Sequence, residues 1–106
     1  MAMNEVVEMR NALGQAVFDP RGRVETHRIA PAARVAGLAG LRLGVLDNTK
    51  WNASRLLRKT AARLGDRFGF AAVNYYKKES FAKAADPALL AAIAAGNDIV
   101  LTAIGD

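Results

Sequence analysis

The sequence predicts an α/β fold, in which a β-hairpin precedes a small parallel sheet of three strands. Three short apolar segments, residues 41–46, 70–76 and 98–105, alternate with two segments that have helical patterns. This alternation is typical of β-α-β units, in which parallel strands are joined by right-handed crossovers through helices. The first apolar segment also lacks period-two alternation, which is typical of a strand buried on both faces. The predicted order is hairpin, then β-α-β-α-β, which corresponds to half of a Rossmann-like or flavodoxin-like sheet.

The predicted hairpin covers residues 15–29. Residues 16–18 (AVF) form a short apolar strand, and residues 19–22 (DPRG) place Pro and Gly where type I turns favour them. Residues 23–29 then alternate between two faces. This pattern predicts a second strand that is exposed to water on one side.

The length of the chain favours a single core, with about two-thirds of the unfolded surface buried. We expect residues 1–14 to be a flexible or short helical N-terminus, and residues 15–106 to form one α/β domain that is incomplete without a partner chain. A sheet of three strands is small, and helices after successive strands cover only one of its faces unless the strand order reverses. Some apolar sheet surface or an open edge is therefore expected to be covered by something else.

The two predicted helices have clear boundaries. Asn48 or Asn52, which are both good N-cap residues, precedes the first helix, and Gly65 ends it. The pair Asp-Pro at residues 86–87 is a start signal for the second helix, and the pair Gly-Asn at residues 96–97 is its stop signal. Each helix has one apolar face, formed by Leu56, Leu57, Ala61 and Leu64 in the first and by Leu89, Leu90, Ile93 and Ala94 in the second.

The composition excludes several kinds of site. With no cysteine and one histidine, this chain by itself cannot form a disulfide, a thiolate metal site or a catalytic triad. No apolar run is long enough for a transmembrane helix, and residues 1–10 lack the apolar core of a signal peptide, so we expect a cytoplasmic protein. The net charge of +5 resides in residues 50–67, which contain six basic residues and one acid. Without interleaved aromatic residues, this basic face is expected to be solvated or to meet an acidic partner, and a nucleic-acid partner is not expected.

Polar side chains follow each predicted parallel strand at its carboxyl end. Asp47, Asn48, Lys50 and Asn52 follow the first strand, Lys77 ends the second, and Asp106 follows the third. In an open α/β sheet, ligands bind in the crevice beyond these strand ends. The first group predicts a site for an anion, because a helix start offers free N–H groups and Lys50 adds positive charge. The alternative is that these residues only cap the helix, and that Lys77 and Asp106 are solvated.

Two of these segments, together with the connector before the sheet, resemble the UGSC family of proteins and selenoproteins. Members of that family have a strand that ends in a turn like Asp-Asn-x-Lys-x-Asn, as in residues 43–53 here (LGVLDNTKWNA). Their last strand is similar to residues 98–106 (DIVLTAIGD), and it runs directly into a Cys-Gly-Ser-Cys or selenocysteine-Gly-Ser-Cys motif. The resemblance covers about residues 15–106, and it includes the connector residues Pro31, Arg34, Leu38 and Gly40.

The resemblance implies a thiol-dependent enzyme that acts on a small anionic or carbonyl-bearing substrate. The sequence ends one residue before the family motif would start, so the resemblance implies the amino-terminal portion of such a protein, which is not catalytic alone. The expected partner is a second protein chain that carries the Cys motif. Asn48 and Lys50 would anchor the substrate, and Asp106 would orient the thiol or the substrate. A separately encoded subunit, a cleaved chain and a shortened chain all stay open.

Two other functions fit the sequence. A flavodoxin-like module would bind a phosphate or a nucleotide at the helix start near residues 48–52, although no glycine-rich phosphate loop follows the first strand. A nucleic-acid-binding domain would use the basic helix, and its affinity would fall steeply with salt. The sequence indicates no particular cofactor.

Overall fold

The computed structural model describes residues 7–22 and 25–105, and the chain divides into two compact units, Met1–Ala33 and Arg34–Asp106. In the first unit, strand β1 (Val7–Arg10) pairs antiparallel with strand β2 (Ala16–Asp19). The two strands form a hairpin that precedes the main sheet in the sequence, as the fold class predicted from the sequence requires.

The turn of this hairpin is organised by Asn11. Its side-chain oxygen accepts hydrogen bonds from the backbone N–H groups of Leu13 and Gln15, each 3.0 Å long. Gly14 lies between them with a φ of +76°, a left-handed conformation that glycine adopts without steric cost. A side chain that replaces backbone partners in this way is a common means by which Asn stabilises a turn.

The strands of this hairpin differ from the predicted ones. Residues 7–10 form a strand within the segment that was predicted to be flexible or a short helix. Residues 25–29 form no strand, while Arg23 and Val24 lie outside the described residues. The predicted turn does form, since Asp19 accepts a hydrogen bond from the backbone N–H of Arg21 at 3.0 Å. Alternation shows that a segment can form a strand but does not identify its partner, and the turn at Asn11 supplies residues 7–10 as that partner.

The second unit contains a parallel sheet of three strands with two helices, which confirms the predicted α/β class. Both outer strands pair parallel with the central one, and the spatial order is β4-β3-β5. The elements in chain order are β3 (Arg42–Asp47), α1 (Ala53–Phe68), β4 (Ala72–Lys77), α2 (Pro87–Gly96) and β5 (Ile99–Ala103).

The strand order reverses at β3, and the helices cover opposite faces of the sheet. On one face, Leu43 and Val45 of β3 pack with Leu57 and Ala61 of α1 to form the core. Residues that alternate with Leu43 and Val45 along β3 face α2. Among them, Gly44 lies against the side chain of Asn97, which directly follows α2. Because the crossovers through α1 and α2 run in opposite directions along the sheet, the two helices lie on opposite faces. The helices therefore do not leave one whole face of the sheet uncovered.

Part of the sheet nevertheless stays open. Helix α1 packs mainly on β3 and β5. The side chains of β4 on the same face are therefore left half exposed, with Val73 at 37% and Tyr75 at 45%. Val100, on the edge strand β5, is 48% exposed. The open face of β4 forms one wall of a cleft.

The helix boundaries agree with the sequence signals in part. The side chain of Asp86 accepts a hydrogen bond from the backbone N–H of Ala88 at 2.9 Å, so α2 begins at its predicted cap. Asn52 occupies the N-cap position of α1, but its side chain makes no capping hydrogen bond. The prediction that α1 ends at Gly65 is wrong, because the helix continues to Phe68. A single glycine inside a helix costs only about 1 kcal/mol. The helix ends instead at Gly69, whose φ is +72°.

A buried polar network holds α2 against the sheet. Asn97, at the C-cap of α2, is only 8% exposed. Its side-chain oxygen accepts a hydrogen bond from Asn74 at 3.0 Å, and its amide donates to the Tyr76 hydroxyl at 3.0 Å and to the Ile93 carbonyl at 2.9 Å. The sequence predicts only the cap, since a Gly-Asn pair after a helix is usually exposed. Here the same residue also fixes the helix to strand β4.

The stability of the second unit is expected to depend on pH through Asp98. Hydrogen bonds from the Arg42 side chain and backbone hold the pKa of Asp98 below its ordinary value of 3.8. Because this pKa is lower in the folded state, the ion pair stabilises the fold above about pH 3.8. That contribution is lost as the pH falls through the folded-state value. Urea unfolding between pH 2 and 7 should show a flatter acid limb for Asp98→Asn, and equal limbs for both proteins would contradict this role.

Candidate functional site

The turn that joins β3 to α1 (residues 48–52) is shaped by its own side chains. The carboxylate of Asp47 accepts a hydrogen bond from the backbone N–H of Thr49 at 2.7 Å, and the side-chain oxygen of Asn48 accepts one from the backbone N–H of Lys50 at 3.2 Å. Thr49 and Asn52 both have left-handed backbones, with φ of 68° and 64°. Asx turns of this kind explain why an acid and an amide follow the strand directly.

Asn48 also ties this turn to the end of β5. Its side-chain amide donates a hydrogen bond to the carbonyl of Ile104 at 2.6 Å, and its backbone N–H donates to the carbonyl of Ala103 at 3.3 Å. The strand order reverses between β3 and β5, and ligands in open α/β sheets bind at such a reversal. The segment that follows β5 therefore leaves the sheet beside residues 48–52.

A first cleft, which we call the rim cleft, lies at this reversal and has a volume of about 410 Å³. Its walls are largely apolar because they include the side chains of Trp51 and Phe81. Both side chains are open to solvent, Trp51 at 88% and Phe81 at 60% exposure. The ammonium group of Lys50 lies 5.9 Å from the centre of the Phe81 ring, which is within the range of a cation–π contact. The residues that line the rim cleft are Lys50, Trp51, Phe81 and Ile104.

A second cleft lies between α1 and the open face of β4, and we call it the helix-side cleft. It has a volume of about 380 Å³. The guanidinium carbon of Arg58 lies 4.3 Å from the centre of the Tyr75 ring, so the two groups are in close cation–π contact. The residues that line this cleft are Val45, Asp47, Ser54, Leu57, Arg58, Tyr75, Tyr76 and Lys77.

The structure divides the predicted site residues between these two clefts. Asp47 and Lys77 are direct neighbours in the β3–β4 register, and both line the helix-side cleft. Lys50 lines the rim cleft instead, and Asn48 lies at the hydrogen-bonded junction with β5. The structure thus brings the strand ends to one edge, as predicted, but gives them two concave surfaces.

The two remaining predicted site residues are Asn52 and Asp106. Asn52 lies at the start of α1, exposed and without a capping hydrogen bond from its side chain. Asp106 lies outside the described residues.

Arg58 is the main residue that the sequence analysis did not single out. It is one of several basic residues on α1, and the predicted basic face treats them alike. Its position directly after the buried Leu57 turns it toward β4, where Tyr75 receives it. The helical spacing places Arg58 next to the buried Leu57, but only the pairing of β4 with β3 shows that Arg58 is the basic residue that faces the sheet.

Two kinds of site are absent from the described part of the chain. Among those residues, no group of three or more His, Cys, Asp or Glu side chains could hold a metal ion. None of the helices within residues 7–22 and 25–105 has the length and apolar character that a membrane crossing requires.

Comparison with known proteins gives one match. The model of the UGSC family matches residues 16–106, which include β2 and the whole parallel sheet. Comparisons with curated proteins and with solved structures found no match.

Proposed function

The chain belongs to the UGSC family, and from this premise we propose that its sheet edge is the substrate-binding part of a thiol-dependent enzyme. The substrate is a small anionic or carbonyl-bearing molecule. The 106 residues contain no cysteine, so the thiol must come from elsewhere. In this proposal a second protein chain supplies it, on the Cys-Gly-Ser-Cys or selenocysteine-Gly-Ser-Cys motif that the family resemblance implies.

The observation that carries the proposal is the hydrogen bond from Asn48 to the carbonyl of Ile104, 2.6 Å long. The family resemblance implies that the motif directly follows the strand that corresponds to β5. A thiol placed beyond the end of this strand would lie beside the turn of residues 48–52 and above the rim cleft. This is also the point of strand reversal at which α/β sheets bind ligands.

The proposed roles follow from the charges at this edge. Lysines lower the pKa of a nearby thiol because they stabilise the thiolate, which is the nucleophilic form. The same positive charge would attract an anionic substrate and polarise a carbonyl oxygen. Asp106 is proposed to orient the thiol. The remaining proposed substrate-binding residues are Asp47, Asn48, Lys50, Asn52 and Lys77.

We propose to test this with an N-acetylated synthetic peptide that begins Cys-Gly-Ser-Ala, in which a single thiol titrates and no α-ammonium charge lies beside it. The pH dependence of its alkylation by iodoacetamide gives the apparent pKa of the thiol. The peptide is supplied as a separate chain and, in a second format, joined after residue 106. With the chain present, the thiol pKa is expected to fall by about one unit from the ordinary value of about 8.5. Lys50→Gln and Lys77→Gln should each reverse part of this fall.

The matched control is Lys59→Gln, which removes the same charge from an exposed position on α1 that lines neither cleft. An equal effect of Lys59→Gln would show that only net charge matters and would contradict the proposed site. A thiol that titrates as in the free peptide in both formats would also contradict it. A lowered pKa in the joined format alone would overturn the role of a second chain.

A further inference from the structure

We propose that the helix-side cleft binds the carboxylate of a small ligand with a planar or apolar body, and that Arg58 determines this specificity. The inference deepens the proposed function, on which it rests, because it names the part of the site that holds the anionic group of the substrate. It assigns that task to Arg58 and Tyr75, which line the helix-side cleft.

The first argument is the orientation of Arg58. Its guanidinium carbon lies over the Tyr75 ring, 4.3 Å from the centre, and contact with an aromatic face restricts the positions that the group can take. A stacked guanidinium still presents N–H donors along its edge, in the forked geometry that matches a carboxylate. Among the ion pairs and hydrogen bonds formed between described residues, none includes Arg58. Its N–H donors therefore have no acceptor among the residues that the structure describes.

The second argument is the charge of the cleft. Arg58 and Lys77 contribute two positive charges, and Asp47 contributes one negative charge. No ion pair joins Asp47 to either cation in the described structure, and one oxygen of this carboxylate already accepts from the backbone N–H of Thr49. One positive charge is thus unbalanced. A monoanion completes the balance, whereas a doubly charged phosphate would be repelled more strongly by Asp47.

The third argument is the shape and polarity of the cleft. Its floor consists of Val45 and Leu57, which are 1% and 2% exposed, and its open wall is the ring of Tyr75. The volume of about 380 Å³ lies within the range of sites for small molecules. An apolar floor with a few converging polar groups is the usual form of such a site. A small planar carboxylate would place its apolar body against this floor and its charge beside Arg58 and Lys77.

The test uses benzoate as the probe and this chain alone, without any thiol. Binding is followed by the NMR signals of the Tyr75 ring and of the Arg58 Nε–H group, and the dissociation constant is measured by titration. Arg58→Gln is expected to weaken binding by about tenfold or more, because a charge-assisted pair of hydrogen bonds is lost. Arg58→Lys keeps the charge but loses the fork, so we expect a loss of about threefold to tenfold.

The matched control is Arg63→Gln, which removes the same charge from an exposed position of the same helix away from the cleft. It should change the affinity by less than about twofold, because Arg63 does not line the cleft and the interaction between separated charges is screened by salt. Equal losses in Arg63→Gln and Arg58→Gln would overturn the proposal, as would equal binding of the neutral analogue benzamide. Binding of inorganic phosphate as tight as that of benzoate would overturn the assignment of a carboxylate.

Failure of this inference can be distinguished from failure of the proposed function. If no benzoate-dependent shift occurs at Tyr75 while the thiol pKa still falls as described, the carboxylate site is wrong and the sheet edge keeps its proposed role. If benzoate binds as expected while the thiol pKa does not change, the cleft is a binding site independent of thiol chemistry. Each outcome decides one of the two claims.

Discussion

Replacement of Leu57 by alanine is expected to lower the free energy of unfolding by about 2 to 5 kcal/mol, the usual range for a buried Leu-to-Ala change. Leu57 is 2% exposed and packs with Leu43, Val45 and Ala61 in the core between α1 and the sheet. The cost includes the lost burial of the side chain and the cavity that remains. Since the free energy of unfolding of a small domain is only about 5 to 15 kcal/mol, this is a large fraction of the total.

The matched control is Leu56→Ala, one position earlier on the same helix. Leu56 is 49% exposed, and its replacement should change the free energy of unfolding by about 0.5 kcal/mol or less. Urea denaturation followed by circular dichroism measures both values, and an equal m-value in the variants supports a change in stability alone. Similar losses in the two variants would show that α1 packs with a different face from the one described.

The pair also shows what helical periodicity can predict. The sequence places Leu56 and Leu57 on one apolar face, because both fall within the same wide stripe. The structure buries Leu57 and leaves Leu56 half exposed, since the contact with a narrow sheet of three strands covers only the centre of that stripe. Periodicity therefore predicts the existence and the buried side of α1, but the width of the contact depends on how many strands lie beneath it.

The parallel strands were predictable because their signals are local. The apolar run of β3 and the Asp-Pro start of α2 identify elements without knowledge of their neighbours. The hairpin strand that pairs with β2 was not predictable in the same way, since the sequence pattern favours a strand at residues 23–29 and a flexible or short helical segment at residues 1–14. Residues 7–10 form the strand because the turn at Asn11 brings them to β2. Pairing is a property of two segments, and a single sequence pattern cannot specify it.

The candidate site shows the same division between local and non-local information. Asp47, Asn48 and Lys50 could be selected because they follow a strand that must be buried. The rule that parallel strands end at one edge also predicts that Lys77 lies near Asp47, and the two are neighbours in the sheet register. The separation of Lys50 from both depends on the left-handed backbone of Thr49, which directly precedes it, and Asn52 has the same conformation at the start of α1. No spacing rule in the sequence predicts those conformations at residues other than glycine.

The role of Asn48 links the fold to the proposed chemistry. Both ends of its side-chain amide are engaged, one with Lys50 and the other with Ile104. An aspartate at this position would place a carboxylate against the Ile104 carbonyl, whereas an amide can donate and accept at once. The amide that follows the acid of Asp47 in this chain therefore has a structural role. The same contact sets the position of any segment that continues from β5.

Replacement of Gly44 by alanine is expected to destabilise the second unit by about 1 to 3 kcal/mol, the range for overpacking of a tight interior. A Cβ atom at this position would lie 2.9 Å from both Cγ and Nδ2 of Asn97, and real Cβ atoms essentially never come so close. Asn97 cannot move away without loss of its hydrogen bonds to Asn74, Tyr76 and Ile93. Gly37→Ala is the control, since no atom lies within 4 Å of its added Cβ.

The coupling between Gly44 and Asn97 gives a sharper test than either single variant. Asn97→Ala removes the obstacle to a Cβ at residue 44, but it leaves the half-buried amide of Asn74 and the Ile93 carbonyl without this partner. That loss costs about 1 to 3 kcal/mol by itself. In the double variant the added methyl group occupies space that Asn97 has vacated, so the two losses should sum to more than the measured total, with a coupling of about 0.5 to 3 kcal/mol. If the losses measured by urea denaturation were strictly additive, Gly44 and Asn97 would not be in the close contact described here.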